Sequence, residues 1–302
     1  NQAKYLLKKF DWQELGEIEG KIAYQYNDIR MWMFEGGILY EDNIDMRWQD
    51  NTNEIVTEVI FPSRHAAASG KPSLTLHPIG IPHLEVGETP PFGGKSGFAP
   101  PPSTRLSSWW KMLQSYYANT DLANQFELTL EVTHHGPWLD VPALFIEIGS
   151  TEATWPNEDA AELLAEIIAD GMAFESECHI GLWDSKDNAD ELVLVTLGGG
   201  HYAPRANKLA SLDGVWLGHM LATYALPFVK SDDETQPPGG TWKQSINSAI
   251  SATRQAFPNG RIVCSMDKKA FRGWQRQAIR NHLAEISIPL LTTKQILEEL
   301  AK

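Results

Sequence analysis

The amino-acid sequence predicts an α/β fold in which a layered, mixed and largely parallel sheet is flanked by helices. Strand-like and helix-like segments alternate along the 302 residues, and this order favours a layered arrangement. Segment 192–197 is apolar on both faces, as expected of a central parallel strand. With 42% hydrophobic residues the chain can bury a substantial core, so we expect one domain spanning residues 1–302, with two domains as the alternative.

Each element is predicted from its own pattern of apolar and polar residues. Residues 2–10 are compatible with a helix that lacks a start signal. Short apolar runs predict strands at 21–26, 29–34, 58–61, 73–77, 126–132, 143–148, 191–197 and 261–266. Apolar residues at helical spacing predict helices at 105–118, 158–174, 242–257, 268–284 and 293–301. Proline and glycine mark a long loop at 82–103, and 231–240 is a second loop or short linker.

The predicted strand 126–132 has one apolar and one polar face. Its apolar positions are Phe126, Leu128, Leu130 and Val132, and the polar positions are Glu127, Thr129, Glu131 and Thr133. Continuing the alternation puts His134 on the apolar side and His135 on the polar side. Both histidines can reach one point only if the strand ends there, as the following Gly-Pro pair indicates.

Three predicted strands carry chemically capable residues at their ends. Thr133, His134 and His135 follow the first, Glu147 lies within the second, and three glycines precede His201 after the third. Ligand crevices in open α/β sheets form outside the carboxyl ends of the strands. We therefore expect these side chains to meet in one site, with the glycines allowing close approach of the backbone to a ligand.

Two further histidines, His65 and His77, also lie near strand ends. A single histidine is more often structural than a ligand, but several of them together with Glu147 shift that balance. Neutral imidazole and carboxylate are groups that bind zinc. The sequence contains no HExxH and no paired CxxC motif, so zinc is a hypothesis here and not a motif assignment.

The charge distribution combines an acidic chain with one basic segment. A net charge of -14 argues against a generally basic nucleic-acid binder, because phosphate contacts need lysine and arginine. Within 268–284, basic residues recur every four positions and would form one stripe on a helix: Lys268, Arg272, Arg276 and Arg280. This stripe is either a solvated helix face or a contact surface for an anionic polymer such as RNA.

The sequence also indicates the cellular compartment in which we expect the protein. No run approaches the roughly 20 apolar residues of a membrane helix, and residues 1–10 do not have the pattern of a signal peptide. Cys178 and Cys264 are far apart in sequence, which implies no disulfide framework and a reducing environment. We expect a cytoplasmic monomer without membrane contact. Because Asn1 stands in place of an initiator methionine, a natural leading segment, and with it organellar targeting, stays open.

At these residues the sequence resembles a known family. The strings SRHAAASGKPSLTLHPIG (63–80), THHGP (133–137), FIEIGSTEATW (145–155) and GGGHYAPR (198–205) look like the archaeal and plant type of D-aminoacyl-tRNA deacylase. The segment VGETPPFGGKSGFAPPP (86–102) resembles the plant and algal branch in particular. The resemblance extends from 44 to 288, and it departs from the family at the start, where the family's first strand is not evident.

The resemblance implies an esterase that acts on D-aminoacyl-tRNA, or on N-modified aminoacyl-tRNA, as a proofreading step of translation. It also implies zinc as a cofactor, aminoacylated tRNA as the partner, and a fold akin to peptidyl-tRNA hydrolase and the nucleoside phosphorylases. The motif histidines of the family correspond to His65, His77, His134, His135 and His201, and its acidic position corresponds to Glu147.

Separate roles for these residues are hypotheses. We expect His134, His135 and His201 to hold zinc or orient the water, with Glu147, His135 and His201 as the catalytic residues and Thr133 as a further candidate. Gly199 and Gly200, with Arg205 nearby, would hold the oxyanion or the terminal phosphate. The basic stripe would contact the acceptor stem.

Two other functions remain open at this point. A zinc-dependent peptidase or amidase would use the same histidines on a small substrate, but it would not need the basic stripe. A non-catalytic RNA-binding module would keep the basic stripe and tolerate loss of the histidines. The density of reactive residues at strand ends favours an enzyme.

Overall fold

The computed structural model describes residues 1–67, 70–233 and 236–301, which include two sheets of mainly parallel strands, a small antiparallel sheet and surrounding helices. The strands are β1 Gln13–Ile18, β2 Lys21–Tyr26, β3 Ile29–Trp32, β4 Val59–Ala66, β5 Ser73–His77, β6 Glu127–Leu130, β7 Ala143–Ser150, β8 Leu192–Leu197, β9 Val215–Leu221 and β10 Arg261–Met266. The helices are α1 Gln2–Lys9, α2 Ile44–Thr52, α3 Leu106–Tyr117, α4 Glu158–Gly171, α5 Pro204–Ala210, α6 Trp242–Ala256, α7 Gly273–Glu285 and α8 Thr293–Leu300.

Sheet topology confirms the predicted fold class. One sheet has the order β4-β7-β5-β6 and the other β10-β8-β9. Neighbouring strands are parallel except for β5 and β7, which are antiparallel. Strands β7 and β8 are buried throughout, as expected for strands covered on both faces.

The two mainly parallel sheets meet just beyond the end of β6. There the Thr133 N–H donates to the Met220 carbonyl of β9 at 2.7 Å, and the Val132 N–H donates to the His201 carbonyl at 3.0 Å. These two bonds bring the segment after β6 against the segment after β8. The junction therefore places residues distant in sequence side by side.

The core lies between the sheets and the helices that cover them. Apolar residues of α3, α4, α5 and strands β5 to β9 form one large buried cluster, and α6, α7 and β10 enclose a second. Trp109 of α3 and Trp242 of α6 are among the largest fully buried side chains. No helix in the described ranges is long and apolar enough to cross a membrane.

Strand β4 is longer than predicted. The sequence prediction ended the strand at Phe61, the residue before Pro62, yet β4 continues to Ala66. Proline is tolerated there because β4 lies at the edge of its sheet. His65 consequently belongs to the strand itself, opposite Gly149 of β7, and not to a following loop.

Several elements had no clear periodicity and were not predicted. The strands β1 and β9 and the helices α2 and α5 belong to this group. β1 pairs with the predicted strand β2 in a separate antiparallel sheet, and β1 is mostly exposed, which leaves little hydrophobic contrast to detect. Residues 2–10 do contain the expected helix, α1.

The predicted helix 268–284 starts later than expected. Lys268–Ala270 form a short 3-10 turn, in which the Asp267 carboxylate accepts from the Lys269 N–H at 3.0 Å. Phe271 is buried, and α7 begins only at Gly273. Lys268 is therefore not on the same helix as Arg276 and Arg280, and the prediction of one continuous helical stripe was wrong.

The long loop 82–103 has no helix or long strand, as predicted, but side chains of α6 hold it in place. The Gln244 amide donates to the carbonyls of Pro82 and Leu84 at 3.0 and 2.7 Å. The Ser248 hydroxyl accepts from the Ala99 N–H at 3.0 Å. The second predicted loop, 231–240, includes residues 234 and 235, which lie outside the described residues.

Candidate active site

Five histidines and two glutamates from both sheets converge where the sheets meet. β4 supplies His65, β5 supplies His77 and β7 supplies Glu147, while Glu131, His134 and His135 follow β6 and His201 follows β8. The His134 ring centroid lies 4.2 Å from that of His135, 4.4 Å from that of His77 and 4.6 Å from that of His201. The predicted meeting of the strand-end residues is confirmed.

Glu131 is the central carboxylate of the cluster. One of its oxygens, Oε2, lies 3.0 Å from Nε2 of His201, 3.5 Å from Nε2 of His134 and 3.6 Å from Nδ1 of His65. Burial raises the pKa of Glu131, but the hydrogen bond from His201 and the charges of His77 and His65 outweigh burial and lower it to about 2. Glu131 is thus a buried carboxylate among imidazoles.

The sequence analysis missed Glu131. Alternation along 126–132 placed Glu131 on a polar face, whereas its side chain is fully buried. The strand ends at Leu130, so the alternation no longer applies at the next residue. A carboxylate three residues before the first of two adjacent histidines was the available signal.

Glu147 forms the second acidic centre, with His77 and His65. Its Oε2 lies 3.4 Å from Nε2 of His77 and 3.7 Å from Nδ1 of His65. Burial lowers the pKa of His77, but the hydrogen bond to Glu147 and the charges of Glu147 and Glu131 raise it above its usual value. Because Nδ1 of His77 donates to the Pro78 carbonyl at 3.1 Å, the proton that makes the ring cationic lies on Nε2, toward Glu147.

His134 and His135 are held in a fixed orientation by backbone carbonyls. Nδ1 of His134 donates to the Val132 carbonyl at 2.7 Å, and Nδ1 of His135 donates to the Gly136 carbonyl at 2.5 Å. Burial and the charge of His77 lower the pKa of His135 to about 4, and burial lowers that of His134 well below its usual value. Both rings are therefore neutral near pH 7, with the lone pair on Nε2.

Thr133 connects the histidine cluster to β9 through hydrogen bonds. Its hydroxyl lies 2.9 Å from Nδ1 of His219, and Nε2 of that histidine donates to the Pro100 carbonyl at 3.0 Å. The same hydroxyl accepts from the Met220 N–H at 3.1 Å. Thr133 is fully buried and its hydroxyl is engaged with β9. His219, which the sequence analysis did not single out, completes this network.

The clustered donors form three groups suited to a metal ion. Among the described residues, ligand atoms lie within 4.8 Å of one another in the groups His77, His134, His135; His65, Glu131, His201; and His77, Glu131, Glu147. The predicted trio of His134, His135 and His201 is divided between the first two groups. Oε1 of Glu131 and Nε2 of His65 are buried without a hydrogen-bond partner in the described part of the chain.

The glycine segment after β8 was predicted to hold an oxyanion or a phosphate, and only part of it is free to do so. The Gly199 N–H donates to the Thr223 hydroxyl at 3.0 Å, so it is not available to an oxyanion. Nη2 of Arg205 donates to the hydroxyls of Ser265 and Thr293 at 2.7 and 3.1 Å. Gly200 is exposed, and no acceptor for its N–H lies in the described ranges. Only Gly200 keeps its N–H for a ligand.

The basic segment lies directly beside the glycine segment. Phe271 packs so closely on Gly198 that a Cβ built there would lie 2.4 Å from the Phe271 ring. The Arg276 guanidinium donates to the carbonyls of Lys268 and Phe271 at 3.1 and 2.8 Å and so holds the turn before α7. Arg272 and Arg280 are exposed. A cationic surface therefore adjoins the segment that carries His201.

Comparisons with known proteins agree on one family. A sequence model described as D-aminoacyl-tRNA deacylase matches residues 52–291. The D-aminoacyl-tRNA deacylase of Arabidopsis thaliana is 43% identical over 271 residues, which cover 88% of this chain and 85% of the relative. That of Pyrococcus furiosus is 32% identical over 235 residues, or 76% of this chain and 78% of the relative. A crystal structure of a conserved protein of unknown function superposes with a TM-score of 0.74 at 26% identity, covering 97% of this chain and 90% of that one.

Proposed function

The chain belongs to the D-aminoacyl-tRNA deacylase family, enzymes that hydrolyse an aminoacyl-tRNA ester, and we propose that the cluster of histidines and glutamates between the two sheets is the site of that reaction. The observation that supports this assignment is the burial of Glu131 among His65, His134 and His201, within the matched span. The comparisons name a deacylase and give no support to the peptidase or amidase alternative.

Hydrolysis of an activated ester needs a positioned water, a base and a donor for the developing oxyanion. In this proposal Glu131 accepts from Nε2–H of His201 and leaves Nδ1 as the atom that receives the proton lost by the attacking water, as a carboxylate orients the histidine of other hydrolases. The exposed Gly200 N–H supplies the oxyanion donor. Glu147 accepts from Nε2 of His77 and raises the pKa of that ring, so its role here is to hold His77 in place.

Zinc could be held by Nε2 of His134 and of His135, which His77 would join only on losing the Nε2 proton that faces Glu147. Two of these rings are neutral and present Nε2 lone pairs, since their Nδ1 atoms donate to backbone carbonyls, as is usual for metal-binding histidines. The unpartnered Oε1 of Glu131 is a further oxygen donor close by. A zinc ion bound here would lower the pKa of a water ligand to about 7.

The exposed cations beside the site suit the tRNA backbone. Lys268 and Arg272 flank Ala270 and Phe271, which pack against Gly198, and Arg280 lies farther along α7. None of the three cationic groups forms an ion pair within the described residues. Their position would place phosphates of the acceptor end beside His201, where the terminal ester must lie. The acidity of the remaining chain would limit indiscriminate binding to RNA.

The experiment that tests this function measures hydrolysis of D-aminoacyl-tRNA, with L-aminoacyl-tRNA and a peptide amide as comparison substrates. We expect hydrolysis of the D-ester only, with loss of activity in a chelator and recovery on addition of zinc. Metal content measured on the purified protein and on His134→Ala gives a second readout, in which the variant should hold less zinc. If the protein contains no metal and hydrolyses the D-ester equally fast with and without the chelator, the zinc proposal alone is rejected.

A further inference from the structure

A tyrosine outside the predicted site makes a direct contact with His201. Tyr224 lies in the short 3-10 turn Thr223–Ala225 that follows β9. Its hydroxyl oxygen is 3.2 Å from Nδ1 of His201, on the side of the ring opposite Glu131. The two ring nitrogens of His201 are therefore both engaged, one by a carboxylate and the other by a phenol.

The backbone carrying Tyr224 is fixed to the segment carrying His201. The Gly199 N–H donates to the Thr223 hydroxyl, while the Thr223 N–H and hydroxyl both donate to the Gly199 carbonyl, at 3.0 and 3.1 Å. The His201 carbonyl in turn accepts from the Val132 N–H at 3.0 Å. These bonds hold the turn at Thr223, the glycine segment and the end of β6 in one arrangement.

The hydrogen-bond partners determine which nitrogen of neutral His201 carries the proton. The Glu131 carboxylate can only accept, so Nε2 of His201 donates to it. Nδ1 then carries the lone pair and accepts from the Tyr224 O–H. In the other tautomer Nε2 would present a lone pair to the carboxylate, which is unfavourable.

We propose that the Tyr224 hydroxyl relays the proton of the attacking water to His201: its oxygen takes the proton from water while its own proton moves to Nδ1, so that the water becomes hydroxide and the ring becomes imidazolium. This proposal rests on the proposed function, in which His201 is the base. It extends the carboxylate and histidine pair to a row of three groups: Glu131, His201 and Tyr224. The Tyr224 side chain is half exposed, and this role explains why a hydroxyl is found at that position.

The test is the steady-state hydrolysis of D-aminoacyl-tRNA by Tyr224→Phe, which removes the hydroxyl and keeps the ring. We expect kcat to fall roughly 100-fold or more, as for the loss of a group that transfers a proton in the reaction, with KM changed less than about twofold. In a His201→Gln background the same substitution should change kcat less than about twofold, because the hydroxyl acts only through the imidazole. Tyr5→Phe is the matched control, since its hydroxyl donates to the Glu162 carboxylate at 2.7 Å on the far helix pair, and it should keep the wild-type kcat.

Three results would overturn the role of Tyr224. They are an unchanged kcat in Tyr224→Phe, a change confined to KM, and an equal fall in kcat in the His201→Gln background. Failure of the proposed function gives a different pattern, because His201→Gln alone would then hydrolyse the ester at the wild-type rate. Thermal unfolding of each variant confirms that the compared proteins are equally folded.

Discussion

At the scale of single residues, the environment of each ionisable group decides what it can do. Glu131 and Glu127 are both polar positions of the same predicted strand, yet Glu131 is fully buried and Glu127 is exposed. The surrounding imidazoles outweigh the effect of burial and keep Glu131 ionised, which gives His201 a fixed acceptor. The exposed carboxylate of Glu127 contacts only Lys71 among the ion pairs described. Two identical side chains thus have different chemistry because of what surrounds them.

Replacing Glu131 by glutamine tests this role. We expect Glu131→Gln to reduce kcat by about 100-fold or more, because the charge that orients His201 and favours its protonated form is removed. KM should change little, since Glu131 lies behind the histidines. Glu127→Gln is the matched control on the same segment and should keep its activity. Near wild-type turnover in Glu131→Gln, measured on a folded variant, would remove Glu131 from the mechanism.

His219 predicts a dependence of stability on pH. Burial lowers the pKa of His219 to about 4, below the usual value of 6.5 that applies in the unfolded chain. Between these values the unfolded chain binds a proton that the folded chain does not, so the free energy of unfolding falls as pH falls from 6.5 to 4. The loss from this residue is roughly 3 kcal/mol. Denaturant unfolding of His219→Gln should show a shallower decline in this window, and parallel curves would contradict the assignment.

At the scale of elements, close packing fixes where segments begin and how they meet. Gly198 has a φ of +90°, and the ring of Phe271 occupies the space beside it. This contact joins the glycine segment to the turn before α7, and the burial of Phe271 interrupts the expected helix at that point. A local packing contact thus overrides helical periodicity.

Substituting Gly198 tests the contact. Gly198→Ala should lower the free energy of unfolding by about 2–4 kcal/mol, because the added methyl overlaps Phe271 and the backbone is left-handed. Activity should fall as well, since the segment carrying His201 must shift. Gly36→Ala is the control, because a Cβ there meets nothing within 4 Å, and its effect should stay within about 0.5 kcal/mol. Equal stability of the two variants would contradict the packing argument.

At the scale of the whole molecule, an acidic protein presents a cationic surface beside its site. The chain carries a net charge of -14, while the segment from Lys268 to Arg280 is basic and adjoins the glycine segment. Acidic surfaces repel an RNA backbone at a distance, so we expect tRNA to associate through the cationic surface. In the proposed function this surface would bind the tRNA beside the cluster of histidines and glutamates.

Replacing Arg272 and Arg280 tests whether tRNA binds through this cationic surface. The double variant Arg272→Gln, Arg280→Gln should raise KM for D-aminoacyl-tRNA and reduce its logarithmic salt slope by about 1 to 2, because each arginine that no longer neutralises a phosphate lowers the slope by about 1. Turnover at saturating substrate should stay near the wild-type value. The control Lys4→Gln, Lys8→Gln removes two exposed cations from α1 and should leave the slope unchanged. If both double variants have the same salt slope, the basic segment is a solvated surface and does not bind the tRNA backbone.

Most elements of the two main sheets could be predicted because their residues are apolar over a whole strand or helix. The prediction for β5 and β10 matches the structure residue for residue, α3 is shorter than predicted by one residue at each end, and α6 and α8 are shorter by one residue at the C-terminal end. The histidines were found because each lies near a strand end. Elements without hydrophobic contrast, such as β1, were missed, as was the continuation of β4 past Pro62.

The sequence by itself determined the α/β class, the family and the histidines that the site would use. Only the tertiary structure decided which partner each imidazole has: Glu131 for His201, Glu147 for His77, and backbone carbonyls for His134 and His135. Alternation along a strand tells which side a residue faces, but the charge and burial of that side depend on elements far away in the chain. The roles of these groups arise where the two sheets meet, because that junction removes Glu131 from water and surrounds it with imidazoles.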